Sequence, residues 1–268
     1  MKKSLFIFIL MFSVIISGCG ANKKDNEDKV IKVASQAPPM TDVVKEAAKE
    51  AKKDGWEIKL VQVNDNVAYN DMVSSKEADA SFAQHKPFME KYNKERDANL
   101  ATIQPIYDAK VGFYSKKYKD INAIPKGTKV AIPNDISNEG RALAILEEQG
   151  LIKLKDGVGV NGTTKDIIEN PKDFKWLKVD LLNLAETYSE KDVSLVYNYP
   201  TYISKIGLKP ADALFLEKNI DNRFSIQLVA REDNKDSDKI KALNKAMKSD
   251  AVKKYLKEQH KDTLIPSF

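Results

Sequence analysis

Residues 30–63 read VIKVASQAPPMTDVVKEAAKEAKKDGWEIKLVQV, and this stretch decides the class of fold. Val30 to Ser35 alternates apolar and polar residues with the period of a half-buried strand. Pro38 and Pro39 break the chain, and Thr41 or Asp42 is placed to start a helix. Val43, Val44, Ala47, Ala48 and Ala51 then fall on one face at helical spacing, and Gly55 stands where that helix would end. Trp56 to Val63 returns to period two. Strand, helix and strand in that order make a βα unit, which predicts a sheet covered by helices.

Downstream the pattern repeats. Ala78 to Ala83 is a second short strand, and His85-Lys86-Pro87 opens a helix to about Arg96. Two such units in succession predict a mainly parallel sheet. Lys110 to Tyr114 reads as a strand leaving this unit, and Lys129 to Pro133 as the first strand of another, with loop and helix over Asn134 to Gly150. Val193 to Tyr197 continues the second unit, while Ala213 to Glu217 and Ser225 to Arg231 lead back toward the first. Asp236 to Gln259 holds two helical stretches, with apolar faces at Ile240, Leu243 and Met247 and at Val252, Tyr255 and Leu256. The expectation is an α/β protein of two lobes: residues 31–112 plus 215–268 form lobe 1, and residues 113–214 form lobe 2.

Upstream, Lys2 and Lys3 precede an apolar run from Leu5 to Ile16, then Ser17, Gly18 and Cys19, the chain's single cysteine. The run fits a signal-peptide core and is short for a membrane span. The order of charge, apolar run, small pair and cysteine is that of a lipoprotein export signal. Residues 1–18 would be removed and Cys19 would carry the lipid, anchoring the chain at the extracytoplasmic face of the cell membrane. An ordinary secretory signal with a chance cysteine, or a core thiol, is the alternative. Residues 19–29, with the charged run ANKKDNEDK, read as a flexible tether. No disulfide is available, so the roughly 250 residues beyond the signal must rely on an apolar core. The formal charge of +5 is spread among interspersed lysines and acids, which argues against a nucleic-acid partner.

Within Pro133 to Arg141, Ser137 or Asn138 is a natural helix N-cap, which would set Arg141 in the first turn. A cation there opposes the helix dipole, and free N–H groups beside a guanidinium suit a carboxylate. The competing reading is an ion pair with Glu139 or with an acid on another segment. His85 follows a strand end, where open α/β sheets bind ligands, but for a lone histidine a capping or core role is the more ordinary reading. His260 lies in a Lys-rich helix and reads as solvated. Two isolated histidines do not make a metal site, no cofactor is expected, and the sequence has no G-x-S-x-G, phosphate-loop or H-E-x-x-H pattern.

Taken together, the blocks Gln84-His85-Lys86-Pro87, Tyr114-Ser115-Lys116-Lys117, VAIPNDISNEGR (130–141), GLIKLKDG (150–157), Glu169-Asn170-Pro171-Lys172 and Arg231-Glu232-Asp233 resemble the NlpA/MetQ family. These are the substrate-binding lipoproteins of methionine-type ABC importers. The resemblance covers nearly the whole mature chain. It implies a type II periplasmic-binding-protein fold: two lobes, each a mixed sheet flanked by helices, with the ligand in the cleft between them. It also implies that Arg141 binds an amino-acid carboxylate, that His85 faces the cleft, and that Phe82 matches an aromatic before it. The chain departs from the family pattern at Asn66 in Asn64-Asp65-Asn66-Val67-Ala68-Tyr69-Asn70, where an aromatic is usual, and at Lys110, where proline is usual. It departs again around Asn198 and Tyr199, the family's asparagine lying one residue out of register with Asn198, which is four residues before Tyr202.

The expected function is capture of methionine, a related amino acid or a short methionine-containing peptide by a monomer, for delivery to a permease and its ATPase subunit. Arg141 would pair with the carboxylate, and Asn198 or Tyr199 would hold the polar end. Phe82, His85 and Tyr69 would shape the side-chain pocket, with Asn66 and Lys110 altering its polarity. The alternatives are a lipid-anchored hydrolase using His85 and a surface interaction protein that has kept the fold.

Overall fold

A computed structural model describes residues 29–220 and 222–268. The signal segment 1–18, Cys19 and all of the 19–29 tether but Lys29 lie outside the described residues.

The opening stretch folds as its periodicity dictates. Strand β1 (Val30–Ser35) leads to helix α1 (Met40–Lys53) and strand β2 (Glu57–Gln62), which pairs parallel with β1. Helix α1 buries Met40, Val43, Val44, Ala47 and Ala51 on one side, with Asp42 in its first turn and Lys52 and Lys53 in its last, as the helix dipole favours. Helix α2 (Ala68–Ser74) and strand β3 (Ala80–His85) follow, and β3 lies parallel to β1. Next come α3 (Lys86–Arg96), then β4 (Leu100–Ala109) and β5 (Gly112–Tyr114). The ten residues of β4 have no counterpart in the sequence reading. Pro105 interrupts the pattern, and β4 accommodates it beside register shifts in its pairing with a later strand.

The second half contains β6 (Lys129–Pro133), α4 (Ile136–Glu148), the short pair β7 (Lys153–Leu154) and β8 (Ile167–Glu169), β9 (Lys175–Val179) and β10 (Val193–Asn198). Helix α5 (Pro200–Ile203), β11 (Phe215–Leu216) and β12 (Ile226–Arg231) lead to α6 (Asp238–Met247), α7 (Asp250–Gln259) and β13 (Leu264–Pro266). Ser237 and Ser249 cap α6 and α7 by accepting hydrogen bonds from the N–H groups of Ile240 and Val252.

Two main sheets result, ordered β13-β4-β12-β3-β1-β2 and β11-β5-β10-β6-β9. The first is mixed rather than mainly parallel, because β12 runs antiparallel between β3 and β4. This is the two-lobed arrangement, and the chain passes between the sheets twice, once from β4 to β5 and once from β11 to β12. The passages meet at Gly112, where a Cβ would lie 2.4 Å from the Phe215 carbonyl oxygen. Among the described residues no helix is long and apolar enough to cross a membrane.

Gly140 serves a second close approach, beside the candidate site. A Cβ there would stand 2.0 Å from the Val160 carbonyl oxygen, because the turn at Gly159–Asn161 rests on the α4 backbone. The obstacle is backbone and cannot swing aside. Gly140→Ala is therefore expected to destabilise the protein by about 1–3 kcal/mol, read as a lower denaturant midpoint at an unchanged slope.

Candidate functional site

The carboxyl ends of β3, β6 and β10 point toward the space between the sheets. His85 is the last residue of β3, Asp135 lies two residues past β6, and Tyr199 directly follows β10. Asp135 is the N-cap of α4, accepting from the Asn138 N–H at 3.0 Å, so the cap lies two to three residues earlier than Ser137 or Asn138. Extended backbone at Asp135 carries its carboxylate straight from the strand end onto the helix start. Arg141 consequently falls in the second turn rather than the first, and the dipole conflict inferred from sequence is relieved.

Arg141 is 1% exposed. Its Nε and Nη2 donate side by side to Glu217 Oε1 at 3.1 Å and Oε2 at 2.5 Å, and Nη1 donates to the Tyr199 hydroxyl at 2.9 Å. The guanidinium also lies over the rings of Phe224, at 4.5 Å, and Tyr199, at 5.3 Å. Burial works against its charge, but Tyr199, Tyr197 and Glu217 outweigh that effect and raise its pKa. The ion pair is with an acid on another segment, 76 residues away in sequence.

His85 caps α3 and faces the cleft at once. Its Nδ1 accepts from the Phe88 N–H at 3.2 Å, and its Nε2 lies 3.1 Å from Asn138 Oδ1. The proton positions follow by elimination. The Asn138 amide nitrogen sits 3.1 and 3.0 Å from the two oxygens of Asp135, so Oδ1 is the acceptor end of that side chain. His85 must therefore donate from Nε2, leaving Nδ1 bare for Phe88. Tyr199 must also donate to Asn138 Oδ1, at 2.7 Å, so its oxygen accepts from Arg141. Burial first, and the nearby Arg141 second, hold the imidazole pKa down at about 4, so the ring is neutral at neutral pH. With both nitrogens committed, it offers no lone pair to a reacting proton.

Next to this relay lies a partly open cavity whose wall includes Asn66, Tyr69, His85, Tyr107, Tyr199 and Tyr202. Among the described residues none that lines it is charged. Tyr202 bridges the two halves of the wall by donating to Gln36 Oε1 at 2.9 Å, and Gln36 Nε2 donates to Asn66 Oδ1 at 2.9 Å. Asn198 is fully buried directly before Tyr199. Its Oδ1 accepts from the Tyr199 N–H at 3.0 Å, and its amide nitrogen has no partner among the described residues.

Of the residues singled out from sequence, Asn66, Tyr69, His85 and Tyr199 meet at the cavity, with Arg141 and Asn198 beside them. Phe82 packs edge-on against Tyr107, ring centres 5.7 Å apart, in the core behind the wall. Lys110 is not brought to the cavity. Ala109, the last residue of β4, lines the wall, while Lys110 lies past the strand end and its Nζ donates to the Lys261 carbonyl at 3.1 Å. His260 is half-buried, 5.3 Å from the Tyr255 ring, rather than solvated. The sequence reading passed over Glu217, Asn138, Gln36 and Tyr107 as site residues. Asn138 reads from sequence only as a helix cap, Tyr107 is one aromatic among several in this part of the chain, and nothing local marks Glu217.

The NlpA lipoprotein family description matches residues 31–268. The D-methionine-binding lipoprotein MetQ of Salmonella typhimurium is 38% identical over 245 residues, covering 91% of this chain and 89% of that protein. Among solved structures, a YaeC-family lipoprotein from Enterococcus faecalis V583 is 50% identical with a TM-score of 0.81, covering 90% of this chain and 100% of its own. A nutrient-binding protein from Burkholderia cenocepacia, bound to methionine, is 36% identical with a TM-score of 0.84, covering 89% of this chain and 100% of its own.

Neutral His85 has a signature in stability. Its pKa is near 6.5 in the unfolded chain and about 4 when folded, so the unfolded state takes up the proton first as pH falls. Stability should be complete above pH 6.5 and decline between about pH 6.5 and 4, by on the order of 3 kcal/mol. His85→Asn, which can still cap α3, should flatten that slope in denaturant titrations across this window.

Proposed function

The chain belongs to the NlpA lipoprotein family, and from that premise we propose that it is the substrate-binding component of an ABC importer. It captures methionine, or a short peptide containing it, in the cavity between its lobes and delivers it to a membrane permease driven by an ATPase subunit. A lipid on Cys19 holds it at the outer face of the membrane, with residues 1–18 removed and 19–29 as tether. Residues 31–112 and 215–268 act as one lobe and 113–214 as the other.

One observation carries the site assignment: the buried Asn198 amide nitrogen has no partner among the described residues, and Asn198 directly precedes Tyr199, which lines a cavity rich in aromatic rings and free of charged side chains. An unpaired buried donor is costly, and a ligand carboxylate would satisfy it. Arg141 keeps an N–H on Nη1 beyond the one given to Tyr199, and this second donor suits the same carboxylate. The Tyr199 proton is committed to Asn138, so Tyr199 offers a ligand only acceptor capacity, which suits an ammonium group. The rings of Tyr69, Tyr107 and Tyr202 with Met40 then surround an apolar side chain. Asn66 adds an amide that a peptide bond could meet. Lys110 has no part in this arrangement, and Phe82 supports it from behind.

The test is calorimetry with L-methionine, D-methionine and glycyl-methionine on protein unfolded to release any retained ligand and then refolded. Binding of at least one is expected, and Asn198→Ala should weaken it by about 5- to 100-fold, or roughly 1–3 kcal/mol. Refolded protein that binds none of the three overturns the ligand class, and unchanged affinity in Asn198→Ala removes that residue from the site.

A further inference from the structure

We propose that Glu217 is a positioning residue that couples the crossing between the two sheets to closure of the cleft. Only its ligand-binding consequence rests on the function proposed above.

Glu217 directly follows β11, at the start of the second passage between the sheets. Its backbone N–H donates to the Val111 carbonyl at 2.9 Å, tying it to the first passage. The carboxylate is therefore fixed where the chain must bend if the lobes move apart. It holds the Nε and Nη2 edge of Arg141 side-on and leaves Nη1 pointing at Tyr199. From there the contacts run through the Tyr199 hydroxyl to Asn138 Oδ1 and on to His85, which belongs to the other sheet.

Two carboxylates fix the sense of every bond in this relay. Glu217 accepts only, so it orients Arg141 at one end, and Asp135 accepts only, so it orients Asn138 at the other. The inter-lobe bond between His85 and Asn138 thus has a single proton arrangement. An amide at position 217 would break this logic, because its NH₂ group would meet the guanidinium donor to donor. Arg141 would then turn, and the Tyr199 hydroxyl would lose the donor that fixes it.

A plain counter-ion would stabilise the fold without reaching the cleft, and this difference can be measured. The full chain is placed in nanodiscs with spin labels at the exposed positions Lys94 and Lys165, each changed to Cys, one on each side of the cleft. Inter-lobe distances are recorded without ligand for Glu217→Gln, Glu217→Asp, Tyr199→Phe and the Gln/Phe double variant, and L-methionine affinity is measured for the same set.

Glu217→Gln is expected to shift the population toward longer distances and to weaken L-methionine by about tenfold or more. Glu217→Asp, which keeps the charge, should fall between it and the native chain. The double variant should bind within about twofold of the weaker single variant, because both act through one relay. Unchanged distances in Glu217→Gln, or effects on affinity that simply multiply, overturn the proposal. If the native chain does not bind L-methionine, the ligand reading fails while the distances still decide the role of Glu217. If Glu217→Gln does not fold, Glu217→Asp decides by the same distances.

Discussion

A guanidinium with 1% of its surface exposed stays charged only when oxygen atoms surround it, and Glu217 supplies two of those around Arg141. Much else at the cleft follows from this pair. Because Glu217 takes one edge of the fork, Arg141 presents its Nη1 edge to Tyr199. Because Tyr199 accepts there, its proton goes to Asn138, and Asn138 in turn receives His85 from across the cleft. A charge that would be expensive alone is thereby turned into a directional scaffold for neutral groups.

The sheets explain why these groups meet. Three strand ends from two separate sheets deliver His85, Asp135 and Tyr199 to one place, although they lie far apart in sequence. The passages between the sheets are packed tightly enough at Gly112 to leave no room for a side chain. A two-lobed receptor needs this combination, with contacts across the cleft that can part and a junction that keeps the lobes in register.

The elements with clean periodicity were legible in the sequence: β1, α1, β2, β6 and the apolar faces of α6 and α7 stand where pattern placed them. β4 was hidden by Pro105, which the strand tolerates only beside irregular pairing. At the site, local rules reached each residue singly and stopped there. A cation near a helix start pointed to an anion but could not say whether it came from a ligand or from the chain, since the partner lies 76 residues away. His85 was read as either a cap or a cleft residue, and it is both, one ring nitrogen for each duty. The helix cap was misplaced because Asp135, Ser137 and Asn138 are all good caps by type, and only the strand end selects among them.

The cavity wall of neutral amides, phenols and one uncharged imidazole has a consequence for the setting in which such a receptor works. Mobile salt weakens attraction between exposed charges separated by more than about 8–10 Å, but it acts far less on a buried ion pair and on contacts between neutral dipoles. With the charge of Arg141 met inside the protein by Glu217, contacts made at this wall should depend little on the surrounding ionic strength. A wall of this kind favours capture that varies little between dilute and briny surroundings.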